Sequence, residues 1–185
     1  MRGLEGATAI VTGGSTLIGR AVVRALAARG VRVAIADIDA GPGQALAREL
    51  GDDVWFSETD IRDDAAIAAF VAATVDRFGG VDLLVNLACT YVDDGAASPR
   101  ADWLESLNVN VVSAAMLAEA VRPQLAASSR AAVVNFGSIS AGVAQTGRWL
   151  YPVGKAALVQ LTRNMAMDYA ADGIRVNSVS PGWTW

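Results

Sequence analysis

Ala7-Thr-Ala-Ile-Val-Thr-Gly-Gly-Ser-Thr-Leu-Ile-Gly19 decides how this chain folds. Ala7 to Val11 is a short apolar run with β-branched residues, the pattern of a buried strand. Thr12-Gly13-Gly14-Ser15 closes it as a turn. Apolar residues then recur at Ile18, Val22 and Leu26 with small alanines between, which predicts a helix to Ala28, and Gly30 stands where a C′ glycine belongs. A strand, a glycine turn and a helix N-terminus in succession bring free amides to one point, and glycine lets a phosphate approach the backbone. The plainer alternative is a glycine-rich turn with no ligand.

Working outward, strands and helices alternate. Val31 to Ala36 reads as a second strand ending in Asp37, and residues 42–50 as a short helix with Pro42 in its first turn. Val54-Trp-Phe56 begins a third strand that runs out at Asp60. Asp63 or Asp64 caps the next helix, whose buried stripe is Ile67, Phe70, Val71, Thr74, Val75 and Phe78, and Gly79 ends it. Val81–Val85 is strand four, and a loop around Pro99 leads to a long helix from about Asp102 to Ala126. Strand five is Ala131–Phe136, a helix carrying Tyr151 follows, and strand six is Ile174–Val179. Such alternation, with near-continuous apolar strands, predicts an α/β fold: one domain over residues 1–185, a doubly wound parallel sheet with helices on both faces.

Composition excludes several functions. The chain has 185 residues, 53% of them hydrophobic, and a mean hydropathy of +0.35, which argues against disorder. A net charge of −4 leaves no basic footprint for nucleic acid. With no histidine, His-based triads and His-ligated metal sites are ruled out, and no metal is expected. The one cysteine, Cys89, excludes an intrachain disulfide and fits a reducing compartment. No uninterrupted apolar run reaches the ~18–20 residues of a membrane span, and Met1 to Gly6 carries no signal-peptide core, so a cytoplasmic protein without a membrane partner is expected.

Two constellations carry chemistry. Asp37 lies eighteen residues after Gly19, close to the ~20 expected of an acid that bonds a ribose diol. A carboxylate there repels a 2′-phosphate, the 12–19 turn has no Arg or Lys, and Arg32 lies inside a strand. NAD is therefore expected over NADP. The second constellation is Ser138 with Tyr151 and Lys155. Tyr151 and Lys155 are four apart and share a helical face. A phenol with a pKa near ~10 is a poor base at neutral pH, and a nearby ammonium favours its phenolate. Ser138 can donate to a substrate oxygen. An ordinary amphipathic surface is the bland reading of the pair taken alone.

Taken in order, these residues resemble the short-chain dehydrogenase/reductase family over almost the whole chain. The resemblance rests on the Thr12–Gly19 turn, Asp37, Asp60-Ile61, Asn86-Leu-Ala-Cys89, Asn110, Ser138, Tyr-x-x-x-Lys at 151–155 and Pro181-Gly182. It implies a Rossmann fold with strand order 3-2-1-4-5-6. It also implies interconversion of a secondary alcohol and a ketone by hydride transfer. Tyr151 would be the general acid/base, Lys155 would lower its pKa and hold the nicotinamide ribose, Ser138 would orient the substrate oxygen, and Asn110 would anchor a relay water. Gly13, Ser15, Thr16, Leu17, Ile18 and Gly19 would cradle the pyrophosphate, and Asp37 with Ile38 would meet the adenosine ribose. Asp60 and Ile61 would lie by the adenine, Asn86 and Ala88 would line the cleft, and Pro181, Gly182, Trp183 and Thr184 would cover the nicotinamide. Family members form oligomers through the long helix and the Tyr151 helix, so a homodimer or homotetramer is implied; sheet packing is the alternative use of those faces.

Departures temper the match. Leu17 replaces the middle glycine of the turn, so its backbone must avoid positive φ or carry strain. Leu87 and Cys89 replace an Asn and a Gly; Cys89 reads as a small buried filler or as a reactive thiol. Family members continue through a substrate-covering loop and a seventh strand, whereas this chain stops at Trp183-Thr184-Trp185, so that segment is expected to be absent. These departures motivate a rival reading, a non-catalytic NAD-binding module. An epimerase or dehydratase of the extended branch usually has glycine at the position of Thr16. Arg148 and Trp149 read as anchors for a carboxylate and an aromatic ring or as exposed loop residues, and Tyr91, Asp93 and Asp94 as a pocket wall or a polar loop.

Overall fold

A computed structural model of the protein describes residues 3–183. Six strands form one parallel sheet: β1 (Thr8–Thr12), β2 (Arg32–Asp37), β3 (Val54–Glu58), β4 (Leu83–Asn86), β5 (Ala132–Phe136) and β6 (Arg175–Val179). Their order is β3-β2-β1-β4-β5-β6, as expected, with in-register pairs such as Ile10 opposite Ala34 and Leu84. The crossovers are α1 (Leu17–Ala27), α2 (Ala40–Leu50), α3 (Asp64–Phe78), α4 (Arg100–Leu107) continuing into α5 (Ser113–Ala126), and α6 (Leu150–Asp168). The strand-order reversal between β1 and β4 opens a crevice at the carboxyl ends of the strands.

Two apolar cores sandwich the sheet. On one face Ile10, Leu84 and Val133 pack with Phe70 of α3, Leu117 of α5 and Met165 of α6. On the other, Val11, Val33 and Ile35 pack with Val23 of α1 and Leu46 of α2. Strand β6 departs from the expectation of cover on both faces: Val176 is buried, but Arg175, Asn177 and Val179 are exposed.

The long helix also differs from its simple expectation. It begins at Arg100 and is interrupted by a π turn at Asn108–Val112 before continuing as α5. Such bulges lodge an extra residue and recur at functional sites. By length and composition the 27-residue run Arg100–Ala126 could cross a membrane, but Leu117, Val121 and Leu125 are buried in the core. It is a core helix.

The first turn works by close approach. A Cβ on Gly13, whose φ is +68°, would lie 2.7 Å from the backbone of Ala88. One on Gly19 would lie 2.1 Å from the carbonyl oxygen of Gly13. Thr16 caps α1, accepting from the Gly19 amide at 3.2 Å and donating to the Gly13 carbonyl at 2.8 Å. Leu17 carries no strain: it is the first residue of α1, it is exposed, and no described non-glycine residue has positive φ.

Helix α6 is capped from a distance. Its own N-cap residue, Trp149, makes no side-chain cap. Instead Asp93, in the loop after β4, accepts from the Trp149 and Tyr151 amides at 2.9 Å each and from Gly95 at 3.0 Å. Burial acts to raise the Asp93 pKa, but these amides outweigh it and hold the carboxyl below its usual range. A negative charge at a helix N-terminus also meets the favourable end of the macrodipole.

Gly19→Ala should lose about 3 kcal/mol of stability to the backbone collision, while exposed Leu17→Ala changes it by no more than about 0.5 kcal/mol, measured by denaturant unfolding. Asp93→Ala should cost about 1–2 kcal/mol and lower Tm by several degrees. Because the folded pKa of Asp93 is depressed, its stabilisation is present above the unfolded carboxylate pKa near ~3.9 and is lost as pH falls through the lower, folded value. The stability gap between wild type and Asp93→Asn should therefore narrow below about pH 4.

Candidate active site

Two clefts, about 330 and 410 Å³ in volume, lie along the carboxyl ends of the strands and share Thr16, Cys89 and Tyr91 in their walls. The first holds Leu17, Ile18, Ser138, Tyr151, Lys155, Pro181 and Gly182. The second holds Gly13, Asp37, Ile38, Asp60, Ile61 and Ala88. Most residues singled out from sequence thus meet in one groove, with Asp37 at one end and Tyr151 at the other. Trp183 borders an adjoining cavity, and Thr184 lies outside the described residues.

Four expected members support the walls instead of forming them. Ser15 is buried; its amide donates to Asp37 at 2.9 Å and its hydroxyl to the Asp39 carbonyl at 3.1 Å. Gly19 is a packing position, where no side chain fits. Asn86 points into the interior, donating to Asn135 at 2.9 Å, and Asn135 donates in turn to Thr162 of α6 at 2.9 Å. A side chain at the last position of a central strand is enclosed by β5 and α5, which corrects its expected place in the cleft; its buried Oδ1 has no partner among the described residues. Asn110, in the π turn, is 2% exposed. Its side chain clasps Thr90 from both sides, accepting from the amide at 2.9 Å and donating to the carbonyl at 3.2 Å.

At its own end of the groove, Asp37 is held in place by the amides of Ser15 (2.9 Å) and Asp39 (3.1 Å). Arg62, which the sequence reading did not single out, bridges Asp60 and Glu105 at 2.7 Å each. Its hydrogen bond holds the Asp60 carboxyl below its usual range and its own pKa rises. The signal was present in the sequence as a lone cation two residues after Asp60, but its partner on α4 is visible only in three dimensions.

At the other end, Lys155 is 2% exposed and its Nζ donates to the Phe136 carbonyl at 2.7 Å. Burial pushes its pKa down. The Nζ lies 5.6 Å from the centroid of the Tyr151 ring. The expectation that Lys155 sets a lowered Tyr151 pKa does not describe this arrangement. Burial, first of all, raises the Tyr151 pKa; the Ser138 hydroxyl opposes it, the Cys89 thiol adds to it, and the Tyr91 hydroxyl opposes it. The Ser138 hydroxyl donates to the Ser140 hydroxyl at 3.0 Å and accepts from the Ser140 amide at 3.1 Å, which leaves one of its lone pairs on the Tyr151 side of the cleft.

Tyr91 was legible only as a possible wall. Its ring stacks on that of Tyr151, with centroids 4.9 Å apart and planes at 26°. Burial pushes its own pKa up as well. Cys89 is half-buried and faces both clefts, which overturns its reading as a buried filler. It lies on the loop that leaves β4 and crosses the carboxyl ends of the strands.

The match to known proteins covers the same elements. A family model described as short chain dehydrogenase matches residues 7–185. The chain is 36% identical to the 2-(R)-hydroxypropyl-CoM dehydrogenase of Xanthobacter autotrophicus, over 94% of this chain and 73% of that protein. It is 34% identical to the cis-4-hydroxycyclohexanecarboxylate dehydrogenase of Sinomonas cyclohexanicum, over 95% and 72%. It is 32% identical to a sorbitol dehydrogenase of Cereibacter sphaeroides, over 97% and 71%. With its sheet order and groove, the chain belongs to the short-chain dehydrogenase family of oxidoreductases.

Proposed function

We propose that this protein is an NAD-dependent oxidoreductase that interconverts a secondary alcohol and a ketone. The observation that carries the reading is the placement of Tyr151, Ser138 and Lys155 in a cleft continuous with the one bearing Asp37. The groove fits an extended dinucleotide: an anchored carboxylate for a ribose diol at one end, glycine backbone and the α1 N-terminus in the middle, and a buried ammonium at the other. When bound, the nicotinamide supplies the hydride acceptor or donor.

The chain's own residues handle the proton. Tyr151 takes the hydroxyl proton of an alcohol, or returns it to a carbonyl oxygen. Ser138 donates to the same oxygen and fixes its direction. Lys155 places its positive charge beside the phenol and holds the nicotinamide ribose. Asn110 keeps the Thr90 backbone fixed behind the groove. Positioned proton transfer of this kind contributes typically ~10²–10⁴-fold.

Charge favours NAD over NADP. The nucleotide cleft holds Asp37, Asp60 and Glu105, and Arg62 is already paired with two of these carboxylates. A 2′-phosphate there would meet net negative charge. Leu104, Val112, Met116 and Val153 expose apolar surface on the long helix and α6, which supports a homo-oligomer through those faces. The relatives named above for their alcohol substrates support the same reaction class.

Tyr151→Phe should lower kcat by about 10³-fold while NADH affinity stays within about threefold; a kcat within tenfold of wild type would remove Tyr151 from the chemistry. Calorimetric titration should show NADH binding on the order of 10²-fold tighter than NADPH, a gap that Asp37→Ser narrows to under about tenfold. Equal binding of the two cofactors by wild type would contradict the assignment of Asp37.

A further inference from the structure

Beyond Tyr151 the first cleft opens into a third cavity of about 580 Å³, which it meets at Tyr91, Ser138, Tyr151 and Gly182. Gln145, Thr146, Arg148 and Trp183 are among its other walls. Among the described wall residues, Arg148 is the one charged side chain. We propose that this cavity receives the distal end of the substrate and that Arg148 binds a carboxylate there, so that the substrate is a secondary alcohol or ketone bearing a carboxylate.

The placement supports a working anion site. Arg148 stands three residues before Tyr151, in the loop leading into α6. One nitrogen, Nη1, leans on the Tyr91 carbonyl at 3.4 Å, and the Tyr91 ring stacks on Tyr151. The guanidinium is thereby tied to the wall that carries the reacting phenol, and among the described residues its other donors have no partner. A guanidinium presents five donors in a planar fork that matches a carboxylate.

Local charge points the same way. The oxygens of the neighbouring Asp93 are directed at the amides of Trp149, Tyr151 and Gly95 and make no ion pair with Arg148. Among the described residues Arg148 forms no ion pair. Gln145 and Thr146 add neutral donors to the same wall. The cavity wall therefore carries one guanidinium that no described carboxylate pairs with directly. A charge-assisted fork of this kind discriminates by about tenfold to hundredfold.

This inference rests on the oxidoreductase reading, and its test separates the two. Reduction of 4-oxopentanoate, 5-oxohexanoate and 6-oxoheptanoate by NADH is compared with that of their primary amides, for wild type, Arg148→Gln and Arg148→Lys. Unchanged Tm checks that the variants fold. Wild type should prefer at least one keto acid over its amide by about tenfold or more in kcat/KM; Arg148→Gln should erase that ratio, and Arg148→Lys should keep part of it. A wild-type ratio near one, or a ratio that survives Arg148→Gln, overturns the proposal and leaves the oxidoreductase reading standing. Ligand-detected NMR with hexanoate and hexanamide covers the remaining case, in which no ketone is reduced. Hexanoate binding that Arg148→Gln abolishes supports the anion site while the oxidoreductase reading falls. Hexanoate that fails to bind, or binds no better than hexanamide, overturns the site.

Discussion

The groove depends on how the chain leaving β4 is tied down. The Thr12 hydroxyl oxygen accepts from the amides of Leu87 and Ala88 at 3.1 and 3.2 Å, extending the β1–β4 pairing beyond the ladder. Gly13 then lies so close to Ala88 that no side chain fits between them. Two residues on, Asn110 grips Thr90, and three further on, Asp93 holds the first turn of α6. One short segment therefore joins the glycine turn to the helix that carries Tyr151 and Lys155. Backbone amides and buried side chains set these distances, so the two ends of the groove keep a fixed span.

Electrostatics then gives the two ends different characters. At the Asp37 end, among the described residues lining the cleft, carboxylates outnumber cations and the Arg62 guanidinium is paired, so Asp37 is not bridged by a cation. At the other end, burial raises the pKa of Tyr151 and lowers that of Lys155. Both shifts arise from the cost of desolvating charge. In the protein alone the phenol therefore keeps its proton more firmly than in water. The Ser138 and Tyr91 hydroxyls oppose that cost, and the stacked Tyr91 ring holds Tyr151 on one side.

Much of this was legible in the sequence. Apolar runs such as Val31–Ala36 have nowhere to go but a covered parallel sheet, and Tyr151 and Lys155 had to share a helical face because they are four apart. The π turn at Asn108–Val112 was hidden, because a single added residue does not disturb the apolar pattern on either side of it. Leu17 looked like a source of strain only because the glycine it replaces was assumed to need positive φ; as the first helical residue it needs none. Asn86 was read as lining the cleft, since spacing places a residue at a strand end without telling which way its side chain turns. Partnerships between distant segments were beyond reach: Asp93 with α6, Arg62 with Glu105, and Tyr91 on Tyr151 each join residues 40 or more positions apart.

The account is tested most directly by a crystal structure of the protein with NAD⁺. It should show the adenosine ribose diol within hydrogen-bonding distance of Asp37, and the nicotinamide ring beside Tyr151 with its ribose against Lys155. A dinucleotide bound elsewhere, or lying in the groove with its nicotinamide at the Asp37 end, would contradict it.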